Sequence, residues 1–160
     1  MNDIEQAKHE ILTAQACLDV ALDYLTKPPP GHGQAPAEET PDGYLSPHFR
    51  ESEFTCNHCN SLEGHTVAQE LLVVLEACRA HFDGAPVTVN SGYRCQVHNT
   101  NVGSTEHSQH RKATAADIVV TGVSPSTVHA YFSAQYPGKY GLGRYDSFTH
   151  IDVRTGPARW

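Results

Sequence analysis

Apolar side chains at Ile4, Ala7, Ile11, Ala14, Leu18, Ala21 and Leu25 alternate steps of three and four residues, the spacing of a heptad seam along a helix. Ala, Glu, Gln, Leu and Lys fill many of the intervening positions and Asn2 or Asp3 is available as an N-cap, so the pattern predicts an amphipathic helix over 1–26. Its seam has two candidate partners, the chain's own domain or another chain, the latter implying self-association. The periodicity then stops. Residues 27–43, beginning KPPPGHGQAPAEETPD, are rich in Pro and Gly, which remove backbone donors and disfavour helix, and they read as a semi-extended linker.

A separately folded domain is expected over 44–160. The run Val67 to Phe82 (VAQELLVVLEACRAHF) sets Leu71, Leu72, Leu75 and Cys78 on one side of a helix that ends before the Asp83-Gly84 turn. Strands are expected at Pro86 to Val89, Ala115 to Val120 and Thr149 to Val153, with a second amphipathic helix over Pro125 to Gln135. Helices and short strands in this order predict an α+β domain with a small mixed or antiparallel sheet and packed helices.

Composition narrows the partners. Eighteen acidic against eleven basic side chains give a formal charge of −7, which repels phosphates, so no nucleic-acid partner is expected. No apolar run approaches the roughly 18 residues of a membrane span. The N-terminus has neither a basic stretch nor a continuous apolar one, so no export signal is expected and synthesis in the cytoplasm is. Five cysteines are an odd, uneven set that argues against a disulfide framework and for reduced thiols.

Eleven histidines are the unusual feature, because neutral imidazole is the commonest metal ligand. Three segments concentrate the chemistry: Ser91-Gly92-Tyr93-Arg94, then His107 to Asp117 (HSQHRKATAAD), then Phe148-Thr149-His150-Ile151-Asp152. A tetrahedral catalytic zinc takes three protein ligands from imidazole nitrogen and carboxylate oxygen and keeps its fourth position for water. His110, Asp117 and His150 meet that requirement.

These ordered segments resemble the peptidase M15 family, the zinc D-Ala-D-Ala carboxypeptidases, in particular the branch of small single-domain members that includes phage endolysins. The family pattern is an SGYR segment, then S-x-H-x-x-G-x-A-x-D, then a strand carrying the last His. Here it reads Ser91 to Arg94, Ser108 to Asp117, and His150-Ile151-Asp152, and the resemblance spans about 46 to 155. One departure is Ala113, which stands where the family usually has Gly. Alanine tolerates a positive φ poorly, so local geometry is expected to differ in the turn between the first two ligands.

The resemblance implies a Zn2+ cofactor on His110, Asp117 and His150, and a peptidoglycan stem peptide as substrate. It also implies Arg94 beside the metal, its guanidinium polarising a scissile carbonyl or holding a substrate carboxylate, where an ordinary surface ion pair is the plainer alternative. Ser108 is a candidate to hydrogen-bond a ligand or hold the loop, and His107 to orient a ligand or touch substrate. For the general base Asp152 comes first, since side chains two apart on a strand share a face and Asp152 should accompany His150 toward the metal. Asp146, in the preceding turn, is second. Many relatives carry an acidic residue three positions before the last His, where this chain has Ser147.

Cys56-Asn57-His58-Cys59 is a lone CxxC, with no second CxxC or HxxxH at structural-zinc spacing. Cys78, Cys95, His58 and His98 are the residues left to complete a site, and free, partly buried thiols are the preferred reading. The leading function is a zinc peptidase acting on peptidoglycan, as D-Ala-D-Ala carboxypeptidase or endopeptidase. A lysis protein released by a holin, or a virion component, would bring it to the cell wall. The alternatives are a non-catalytic, zinc-stabilised wall-binding or phage structural module, or a dipeptidase on the same fold.

Overall fold

The computed structural model describes residues 42–160. The expected N-terminal helix and all but the last two residues of the expected linker lie outside the described residues.

Helix α1 (Gln69–His81) buries Leu71, Leu72, Leu75 and Cys78, the side expected from spacing, and Val74 with them. Strand β1 (Val87–Ser91) follows, then a short helix α2 (Gln96–Asn101) capped by the Cys95 thiol, which accepts from the His98 backbone N–H. Strand β2 (Ala115–Val120) and helix α3 (Pro125–Gln135) match their expected bounds. Ser124 caps α3 by accepting from the Thr127 N–H, and Pro125 starts it where no donor is needed. Strands β3 (Gly141–Arg144), β4 (Thr149–Asp152) and β5 (Ala158–Arg159) complete the domain.

The five strands form one sheet in the order β1-β2-β4-β3-β5, antiparallel except for the parallel pair β3–β5. This is the expected α+β architecture with a mixed sheet. Alternation assigns each face a task. Ala116, Ile118, Val120, Leu142 and Ile151 share the main apolar core with α1 residues and with Val128 and Phe132 of α3. Each such fully buried large aliphatic or aromatic side chain contributes about 1.5–3 kcal/mol. The intervening residues, Asp117 on β2 with His150 and Asp152 on β4, point to the opposite face. Among the described residues no helix is long and apolar enough to cross a membrane.

Candidate metal centre

Pairing of β2 with β4 sets Asp117 directly across from His150 and Ala115 across from Asp152. The third expected ligand, His110, stands on a 3-10 turn (Gln109–Lys112) that leads into β2. All three side chains are buried, and their donor atoms converge. His110 Nε2 lies 3.2 Å from His150 Nδ1 and 3.3 Å from Asp117 Oδ1, and His150 Nδ1 lies 2.8 Å from the same oxygen. A tetrahedral ion with bonds near 2.0–2.1 Å has ligand–ligand edges of roughly 3.3 Å, so the triangle fits one small cation.

The remaining polar atoms of these side chains fix which atoms face the ion. His110 Nδ1–H donates to the Gly92 carbonyl at 2.6 Å, which can only accept, so Nε2 keeps its lone pair. His150 Nε2–H donates to Asp152 Oδ2 at 2.9 Å, which leaves Nδ1 free. Asp117 Oδ2 accepts from Arg94 Nη2, turning Oδ1 inward. Such outer partners orient metal ligands and select their tautomer.

Electrostatics distinguish the two rings. Burial pushes His110 below its ordinary 6.5 despite the nearby Asp117. Burial pushes His150 down as well, but hydrogen bonds and charge from Asp117 and Asp152 outweigh it and hold the ring above the ordinary value. Asp117 is held well below the carboxylate range, the cost of burial being outweighed by His110 and His150.

The SGYR segment serves this centre residue by residue. Ser91 Oγ accepts from Arg94 Nε at 2.9 Å, aiming the guanidinium at Asp117. Gly92 supplies its carbonyl, and a Cβ there would lie 2.6 Å from the Phe54 backbone, so no larger residue fits. Tyr93 is buried with its hydroxyl donating to Glu63 at 2.6 Å. Ala113 holds the turn between His110 and Asp117 at φ +54°: the left-handed conformation is adopted in spite of the methyl group.

A cavity of about 630 Å³ opens on the donor triangle. Arg94, His107 and Ser108 line it together with Phe148, and so do Tyr145, Arg154 and Trp160, which no motif marks. The expected general bases lie elsewhere. Asp146 is exposed in the turn between β3 and β4 and is not part of the lining. Asp152 has no exposed surface and sits behind His150, on the ring nitrogen turned away from the donor triangle. Its carboxylate is also held by Arg154, from Nε at 2.7 Å and Nη2 at 2.6 Å.

Glycines on β3 make room for this support. A Cβ at Gly141 would fall 2.1 Å from Asp152 Oδ2, and one at Gly143 would fall 2.6 Å from the Trp160 ring. Arg154 was within reach of the strand argument, being two residues beyond Asp152 on the face that His150 defines. Trp160 was not, because it reaches the cavity only through the β3–β5 pairing.

Of the two remaining thiol questions, Cys78 is answered by burial in the α1 core, which pushes its thiol up to about 12. Cys56, Cys59 and Cys95 instead form a second cluster, their sulfurs within 4.8 Å of one another.

The sequence model of the peptidase M15 family matches residues 47–152, an interval that contains every residue of the donor triangle and its supports except Arg154. No curated protein matches the chain.

Proposed function

The chain belongs to the peptidase M15 family, and from that premise we propose that it is a zinc-dependent peptidase cleaving peptide bonds in the stem peptides of bacterial peptidoglycan, of D-Ala-D-Ala carboxypeptidase or endopeptidase type. The observation that carries the reading is the donor triangle of His110 Nε2, Asp117 Oδ1 and His150 Nδ1 at the wall of the cavity. Two neutral imidazoles and one carboxylate are a hydrolytic zinc's donor set, and among the described residues no thiolate or extra carboxylate joins them to blunt its acidity. Zinc bound there supplies Lewis acidity for a carbonyl oxygen and brings the pKa of a water toward neutrality.

The chain's own residues supply the rest. Arg94, tethered to Asp117 and Ser91 and lining the cavity, holds a permanent charge for a substrate carboxylate or the oxygen of the scissile carbonyl. Asp152 acts as a positioning residue that keeps the proton of His150 on Nε2, with Arg154 fixing its carboxylate. Proton transfer falls to His107, an imidazole that lines the cavity, whereas neither Asp146 nor Asp152 does. Ser108 beside it offers a hydroxyl to the substrate backbone.

Tyr145 and Phe148 stack at 4.3 Å and Trp160 lies 5.1 Å from the His150 ring, giving the cavity an apolar flank suited to small methyl side chains such as those of alanine. The test is to incubate the protein with purified peptidoglycan and, separately, with D-alanyl-D-alanine, and to identify products by mass spectrometry. Fragments carrying a new amino and a new carboxyl terminus from the polymer support the reading. Cleavage of the dipeptide alone would move the substrate to free dipeptides, and no cleavage of either would make the domain a binding module.

A further inference from the structure

We propose that Cys56, Cys59 and Cys95, completed by His98, form a second, structural zinc site that anchors the wall of the cavity. The three sulfurs lie within 4.8 Å of one another although Cys95 is remote in sequence from the CxxC pair. His98 Nδ1 lies 3.3 Å from Cys56 Sγ, close to the edge of roughly 3.5 Å expected between sulfur and nitrogen on one tetrahedral zinc with bonds of 2.3 and 2.0–2.1 Å. Cys56, Cys59 and Cys95 meet the mutual spacing by themselves, and His98, placed beside Cys56, would close the set to three thiolates and one imidazole, the hallmark of a structural ion rather than a catalytic one.

The backbone around the sulfurs is arranged for thiolates. Cys56 Sγ accepts from the backbone N–H of His58 at 3.4 Å and of Cys95 at 3.3 Å, and Cys95 Sγ accepts from the His98 N–H at 3.4 Å. Donors directed at sulfur favour the charged form that binds a metal. The CxxC turn is closed by Asn60 N–H donating to the Cys56 carbonyl at 2.7 Å, with Asn60 itself at φ +51°. Cys56 and Cys95 are buried and Cys59 is exposed, so the ion would close the outer side of a small core cluster in which the two buried cysteines pack with Tyr93 and Ala113. His58 Nδ1, 3.6 Å from Cys95 Sγ, is the competing fourth ligand. His98 takes precedence because it is half-buried on α2, where the Cys95 cap fixes its backbone, while His58 is exposed.

The location gives the ion a task. Cys95 directly follows Arg94 and caps α2, and α2 runs into the 102–108 loop that lines the cavity. A metal joining Cys95 to the 56–59 turn would therefore brace both Arg94 and one cavity wall from outside the His110 centre.

The site is tested on the full chain purified under reducing conditions, by zinc analysis and by the absorption of the cobalt-substituted protein. We expect about two zinc ions per chain in the wild type and about one in each of His110→Ala and Cys59→Ser. Cobalt-loaded His110→Ala should keep a sulfur-to-cobalt charge-transfer band that Cys59→Ser lacks. Because Cys59 is exposed, its replacement leaves the core intact, and its melting temperature should fall. His98→Ala should lose the same ion and His58→Ala should retain it. A cobalt-loaded His110→Ala protein without the charge-transfer band would overturn the site, as would a wild-type mass showing two of these cysteines joined as a disulfide. Zinc loss in His58→Ala but not in His98→Ala would overturn the assignment of His98.

Discussion

Replacing Asp152 with Asn changes one atom and tests whether this carboxylate positions a ligand or moves a proton. The side chain is fully buried and accepts four donors: His150 Nε2 at 2.9 Å, Arg154 Nε at 2.7 Å, Arg154 Nη2 at 2.6 Å and the Arg154 backbone N–H at 3.2 Å. An amide keeps a single oxygen. With its NH2 in the Oδ2 position it confronts the ring N–H of His150 and Nη2 of Arg154. In the other orientation it confronts Nε and the backbone N–H. Either choice leaves buried donors facing a donor and removes the negative charge beside Arg154, a loss of roughly 2–4 kcal/mol in stability. The one relief open to His150 is to move its proton to Nδ1, which removes a lone pair from the donor triangle. We therefore expect zinc affinity to fall about ten- to hundred-fold, as for the loss of an outer partner of a ligand histidine. Chelator-competition titration gives the affinity, and the melt of the metal-free protein gives the stability. If Asp152→Asn kept wild-type zinc affinity and an unchanged melt while turnover fell by several orders of magnitude, the positioning argument would be refuted and Asp152 would be the general base.

Other expectations follow from the same contacts. Ala113→Gly relieves about 1–2 kcal/mol of left-handed strain but loses a buried methyl worth about 0.8 kcal/mol and adds about 0.5–1 kcal/mol of chain entropy, so denaturant melts should change by under about 1 kcal/mol with zinc content unaltered. Destabilisation beyond about 2 kcal/mol would mean that methyl packing dominates. Burial pushes Glu76 up, but the Ser46 hydroxyl, the His48 ring and the His48 N–H outweigh it and hold the carboxyl below its ordinary 4.5. A depressed folded value stabilises above about 4.5 and fades as pH falls through it, so Glu76→Gln should melt below the wild type at pH 7 and converge with it in acid. A gap that widened in acid would contradict this. A chain shortened to begin at Asp42, which retains the Gly43 carbonyl that accepts from Glu51 N–H at 2.9 Å, should keep a cooperative melt and its zinc. Insolubility would show that the N-terminal seam belongs to the core.

The elements that could be read in advance are those whose side chains carry the periodicity. Ala115 to Val120 and Pro125 to Gln135 kept their expected bounds because a short, nearly continuous apolar run, a Ser cap and an N-terminal Pro are local signals. Strand β3 escaped because Gly-Leu-Gly shows no alternating apolar face. Its glycines answer to Asp152 and Trp160, which only the assembled sheet brings near. Helix α2 escaped because its sequence, QVHNTN, is polar and its cap is a thiol. In the site, His110, Asp117 and His150 were legible as donor types at family spacing, and the structure brings them together. The support given to His110 by a backbone carbonyl leaves no residue type to find. Asp152 shares a face of β4 with His150, as two-residue spacing dictates, but a shared face does not say which ring nitrogen a neighbour meets. The CxxC pair looked incomplete because Cys95 joins it only after Gly92 passes against the Phe54 backbone.

The central claim, metal-dependent hydrolysis of peptidoglycan peptides at the His110–Asp117–His150 centre, is tested most directly by the release of new amino groups from purified peptidoglycan. The assay compares zinc-loaded, metal-stripped and zinc-restored protein, with His110→Ala alongside. The account predicts release by the loaded and restored forms, none by the stripped form, and none by His110→Ala at any zinc concentration that leaves it folded. Undiminished release by the stripped protein or by His110→Ala, or no release by fully loaded wild type, would contradict it.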